Sequence, residues 1–138
     1  MQTILQILEK AGGFRPSLYL VIVNPPYMEL VIEATDESGP LGFPAISIAH
    51  YGKQNGDAMR DPEMCFELSK PDGKLILDPY YWRNDYVAVE QLSRAIVNDH
   101  YVALSSLHKE HEHFAAQWDA NLRLQGFVEV FSDSAIRG

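Results

Sequence analysis

A chain of 138 residues with 46% hydrophobic and 22% charged side chains has the make-up of one globular domain, long enough to bury a substantial core. Its formal net charge of −8 and its lack of any Lys/Arg cluster oppose direct non-specific nucleic-acid binding, which depends on cationic side chains releasing counterions. Cys65 is the only cysteine, so no intrachain disulfide can form; no run reaches membrane-spanning length, and the first ten residues lack the basic region and apolar core of a secretory signal. A cytoplasmic protein with no membrane partner is expected.

Ile4, Leu5, Ile7, Leu8 and Ala11 recur at helical spacing before Gly12-Gly13, which predicts a short N-terminal helix over 2–11. Leu18–Val23 is a continuous apolar run ending at Asn24-Pro25-Pro26, the pattern of a strand buried on both faces and then a turn. Met28–Ala34 alternates, with Leu30 and Ile32 opposite Glu29, Val31 and Glu33, so the two runs are expected to form a hairpin. Residues 36–42 carry loop chemistry. Ala45–His50 resumes the alternation, with Ile46, Ile48 and His50 pointing inward.

The stretch 49–67 crowds His50, Tyr51, Lys53, Asn55, Asp57, Arg60, Asp61 and Glu63 between two strand-like runs, and it reads as a polar loop. After it, Met64, Phe66 and Leu68 alternate against Glu63, Cys65 and Glu67. Pro71-Asp72-Gly73 supplies a turn into Lys74–Leu77. Residues 86–97 suit either a helix or a strand, and the strand is favoured. Asn98-Asp99 then mark a hairpin turn, and Ser105-Ser106 offer a helix N-cap. In the long helix expected over about 107–124, Leu107, His111, Phe114, Ala115, Trp118 and Leu122 form one stripe, with Gly126 at its end. A last strand is expected at Phe127–Phe131. The expected class is α+β, a mainly antiparallel sheet with an N-terminal helix and a longer C-terminal helix. It forms one domain over 1–131, with a flexible tail over 132–138.

Several groupings invite chemistry. His108, His111 and His113, with His100 upstream, are metal-ligand types, yet a helix turns them to different sides. His111 is expected at the core edge, and His108 to pair with Glu112 at i,i+4. Cys65 with His50 has the residue types of a nucleophile and base. Alternation nevertheless puts Cys65 in the row of Glu63 and Glu67, whose charges raise a thiol pKa. Asp57, Asp61, Glu63 and Glu67 have the chemistry to hold Mg²⁺ against phosphate, although Glu-Leu-Ser-Lys stands where a common nuclease core has Glu-x-Lys. The competing reading makes the carboxylates turn and ion-pair partners, Arg60 among them. Tyr80-Tyr81-Trp82-Arg83-Asn84-Asp85-Tyr86 offers aromatic and arginine anchors for a partner, or aromatic packing over a sheet edge.

Asn24-Pro25-Pro26-Tyr27-Met28, Leu30–Glu33, Ala49-His50-Tyr51, Gln54-Asn55-Gly56-Asp57, Met59-Arg60-Asp61-Pro62-Glu63-Met64 and the late Trp118-Asp119, Asn121-Leu122, Gln125-Gly126-Phe127 together resemble a bacterial family of unknown function carried on plasmids, integrative elements and phages. The resemblance implies an accessory role in mobile-element biology, such as countering host defence, and supplies no catalytic residues. The leading expectation is a non-enzymatic, macromolecule-binding protein that needs no cofactor or metal. It would contact a protein or nucleoprotein complex, such as a host defence complex, through Tyr51, Lys53, Asn55, Asp57, Arg60, Asp61, Tyr81, Trp82 and Arg83. The alternative is a metal-dependent hydrolase or nuclease centred on His50, Asp57, Asp61 and Glu63, and a third reading is an acidic DNA mimic.

Overall fold

The computed structural model describes residues 1–137. Helix α1 (Gln2–Lys10) buries Ile4, Ile7 and Leu8, the i, i+3, i+4 stripe that its sequence spacing predicts. Six strands follow as β1 (Tyr19–Ile22), β2 (Glu29–Ala34), β3 (Ala45–Gln54), β4 (Asp57–Ser69), β5 (Ile76–Asn84) and β6 (Val89–Leu92). Every strand lies antiparallel beside its chain neighbour, so the sheet is a meander in the order β1-β2-β3-β4-β5-β6. A separate two-stranded hairpin, β7 (Arg94–Val97) and β8 (His100–Ala103), precedes the long helix α2 (Ser105–Leu124) and then α3 (Phe127–Arg137). The α+β class and the helix at each end match the sequence expectation.

All three helices lie on one face of the sheet. Leu30, Ile32, Ile46, Ile48, Met64, Phe66 and Leu68 from the strands meet Ile4, Ile7 and Leu8 of α1, Ala115, Trp118 and Leu122 of α2 and Phe127 of α3. Each fully buried aliphatic or aromatic side chain contributes about 1.5–3 kcal/mol, so this one-sided core supplies the main drive for folding. The inward row of β3 and β4 is the one that alternation predicts.

Five expectations are corrected. The stretch 49–67 is not a loop: β3 runs to Gln54, β4 starts at Asp57, and only Asn55-Gly56 turn the chain. Both turn residues have positive φ, 53° and 86°, which Asn and Gly tolerate and which matches the right-handed strand twist. Second, Leu18–Val23 is buried on one face only; Leu18 and Ile22 face the core while Tyr19 is 61% and Val21 44% exposed. Third, the strand favoured over 86–97 is two strands, broken at Ser93, where the chain leaves the main sheet for the hairpin.

Fourth, Phe127–Phe131 is helical because Phe127 inserts under the sheet as part of α3. That helix takes in 132–137 of the expected tail, and Gly138 lies outside the described residues. Fifth, Leu104, not a serine, caps α2, without a side-chain cap bond.

A buried ion pair ties the far end of the sheet together. Glu67 and Arg94 are each 2% exposed and meet at 3.0 Å. Glu67 Oε2 also accepts the backbone N–H groups of Leu41 (2.8 Å) and Phe43 (3.0 Å), while Arg94 donates to the carbonyls of Pro79 (3.2 Å) and Asp78 (3.1 Å). The loop before β3, strands β4 and β5 and the base of the β7–β8 hairpin thus share one network.

Candidate functional site: an open sheet face and a cleft at a bulge

The face of the sheet away from the helices carries two rows of side chains in register. Tyr19, Glu33, Ser47, Cys65, Tyr81 and Leu92 stand opposite one another from β1 to β6; beside them run Val21, Val31, Ala49, Glu63, Arg83 and Glu90. Tyr51 and Arg60 pair in the next rank. Ion pairs order the charged part. Asp85 accepts Arg83 Nε at 2.7 Å, Arg60 Nε at 3.1 Å and the Arg60 backbone N–H at 2.8 Å, and Arg60 Nη1 reaches Glu63 at 3.3 Å.

Burial works against the Asp85 charge, yet these donors win and bring its pKa down to about 2. Tyr81 donates its hydroxyl to Glu90 at 2.7 Å. Burial and that bond push its own pKa up to about 12. A shallow depression of about 570 Å³ beside Tyr51 is walled by Tyr19, Val31, Glu33 and Lys53.

Cys65 lies on the same face of the sheet as Glu63, as alternation predicts. Burial first, then the Glu63 charge, push its thiol up to about 12, so it carries no useful thiolate at neutral pH. His50 sits on the opposite face, so the Cys65–His50 pairing is not assembled.

The second feature arises where β3 and β4 fall out of register. Ala49 pairs with Glu63 but Tyr51 with Arg60, so two steps along β3 face three along β4. This bulge at Asp61-Pro62 keeps Arg60 on the open face and sends Asp61 and Pro62 to the helix side. There they border a cleft of about 440 Å³ between the sheet and α2, lined also by Pro26, Tyr27, Met28, His50, Phe114, Gln117, Trp118, Asn121 and Gln125.

The His50 ring packs on Trp118 (5.5 Å between centroids) and Phe127 (5.6 Å), and Phe114 stands edge-on to Trp118 at 6.2 Å. Burial lowers the His50 pKa, against the opposing pull of the Glu29 and Met28 carbonyls and of Asp61, so the ring is neutral at pH 7. Asp61 Oδ1 accepts from Asn84 Nδ2, and Asn24 Nδ2 donates to the Gln125 carbonyl at 2.8 Å, which fastens the turn after β1 to the end of α2.

The nine residues singled out in the sequence therefore divide. Tyr51, Lys53, Arg60, Tyr81 and Arg83 share the open face, with Asn55 and Asp57 at the hairpin tip beyond it. Asp61 faces the cleft and Trp82 faces the helices, packed edge-on to Phe114 at 5.7 Å, so neither joins the others. The metal constellation does not converge either. His50 and Asp61 are on the helix side, Glu63 is on the open face bound by the Ser47 hydroxyl, and Asp57 is at the tip.

Among the described residues no three His, Cys, Asp or Glu side chains are grouped to hold a metal ion. His111 is buried with Nδ1 2.8 Å from Ser93 Oγ and Nε2 3.0 Å from Gln91 Oε1, a core-edge histidine as expected. His108 lies 3.5 Å from Glu112 but 2.7 Å from Asp78, a partner that sequence spacing could not reveal. Among the described residues no helix is long and apolar enough to cross a membrane.

Sequence reasoning did not assemble the cleft, because its residues come from four separated stretches. The one local signal was Pro62 inside an otherwise alternating strand, a residue that marks a bulge. The fold and these two surfaces define an α+β protein built on an antiparallel meander with helices on one side only. The chain belongs to the family described as a domain of unknown function (DUF6908), whose model matches residues 2–128. No curated protein and no solved structure matches the chain.

Proposed function

We propose that the protein is a non-enzymatic binding module that contacts a protein or nucleoprotein complex through the open face of its sheet. One observation carries the reading. The helices cover a single face, and the other leaves Tyr19, Val21 and Leu92 (52% exposed) beside ordered charges. Apolar and aromatic surface of this kind rimmed by ion pairs is characteristic of interaction sites, where tyrosine and arginine contribute most of the binding energy. The net charge of −8 favours a partner with a basic surface. The resemblance to a bacterial family of unknown function carried on plasmids, integrative elements and phages supplies the setting for the proposal, an accessory protein that inhibits a host defence complex of the anti-CRISPR or antirestriction type.

The test compares the wild-type chain with the triple variant Tyr51→Ala, Tyr81→Ala, Leu92→Ser as immobilised baits in a bacterial lysate, read by mass spectrometry. The expected outcome is a partner retained by the wild type and lost by the variant, with the two melting within a few degrees of each other. A partner held equally by both baits would remove the open face from the interface.

A further inference from the structure

The cleft at the bulge lies on the helix side of the sheet, away from the open face, and its lining selects a different ligand. Tyr27, Met28, Phe114 and Trp118 give it apolar and aromatic walls. Asp61 is the one carboxylate among the described lining residues, and no Lys or Arg is among them. Its Oδ1 is occupied by Asn84, and Oδ2 has no hydrogen-bond partner among the described residues. His50 also lines the cleft: a carbonyl can only accept, so the 3.3 Å contact of Nδ1 with the Glu29 carbonyl places a ring proton on Nδ1 and fixes the ring against the strand.

A cavity that offers aromatic walls and a half-used carboxylate, with no cation among its described lining residues, repels anions. It accepts a planar cation that stacks and donates at once. The guanidinium group meets those requirements, since it stacks on aromatic rings, donates in a flat fork to a carboxylate and is weakly hydrated for a cation. The volume of about 440 Å³ accommodates an arginine side chain. We propose that this cleft is a recognition site for a guanidinium group, stacked against Tyr27 and Phe114 over the buried Trp118 and paired with Asp61. The charge of the whole chain points the same way.

The test titrates the full-length chain with three probes, N-acetyl-arginine amide, its neutral isostere N-acetyl-citrulline amide, and agmatine, which has no peptide groups. Binding is read from the indole ¹H–¹⁵N signals of the two tryptophans. Both guanidinium probes are expected to shift the Trp118 signal saturably, with the citrulline probe about tenfold weaker or worse. N-acetyl-arginine amide binding more tightly than agmatine identifies the ligand as an arginine of a partner protein; equal affinities identify a small free cation.

Asp61→Asn should weaken both guanidinium probes about tenfold. Because that change also disturbs Asn84, Tyr27→Ala at the exposed rim serves as the second variant and should weaken them several-fold. The open-face variants at Tyr51 and Tyr81 should leave binding unchanged. No saturable shift with either guanidinium probe, equal binding of the citrulline probe, or full affinity in both Asp61→Asn and Tyr27→Ala would overturn the assignment.

Discussion

Glu67 and Arg94 make three parts of the fold depend on one buried ion pair. Each is 2% exposed, and between them they hold the 41–43 loop, β5 and the β7–β8 hairpin. Removing one partner of a buried pair leaves an uncompensated charge, which typically costs about 3–5 kcal/mol. Arg94→Met should therefore lower the urea midpoint sharply, and adding Glu67→Gln should recover part of the loss.

Two histidines give a pH dependence whose sign follows from their surroundings. Burial lowers both His50 and His111 from 6.5, so the unfolded chain binds more protons than the folded one as pH falls below that value. Stability should decline between pH 7 and pH 5 in urea titrations. The double variant His50→Gln, His111→Gln should flatten the decline. Asp85, held at about 2 against 3.8, adds stability that disappears only below about pH 4, outside that window.

At the scale of elements, the β3–β4 hairpin positions both surfaces. Its Asn55-Gly56 turn fixes the register at the tip, and the bulge at Asp61-Pro62 then divides Arg60 from Asp61. Gly56 has φ +86°, where a side chain is strained. Gly56→Ala should cost about 1–2 kcal/mol, and the loss should appear as a lower melting temperature with α2 intact by circular dichroism. Much of this element was legible beforehand. Ile46, Ile48, Met64, Phe66 and Leu68 point inward as period-two alternation requires.

The polar residues between them read as a loop because functional groups at high density resemble connecting sequence. They stand in strands because one face of those strands is uncovered and tolerates charge. Phe127–Phe131 misled for a related reason: a short apolar run has no period of its own, and the helix there is decided by Phe127 packing beside His50.

At the scale of the whole molecule, the layered plan separates two surfaces on opposite sides of one sheet, so a partner on the open face and a guanidinium in the cleft do not compete for residues. The sequence by itself determined the α+β class, the core rows of the central strands, the apolar stripe of α2, the acidic charge and the inert setting of Cys65, because periodicity and composition are local properties. Only the tertiary structure decided which face of the sheet stays open, that Trp82 turns toward the helices, and that Tyr27, His50, Asp61 and Trp118 meet. Those outcomes depend on a one-residue bulge and on where the helices return to the sheet, and neither is encoded within any single stretch of the chain.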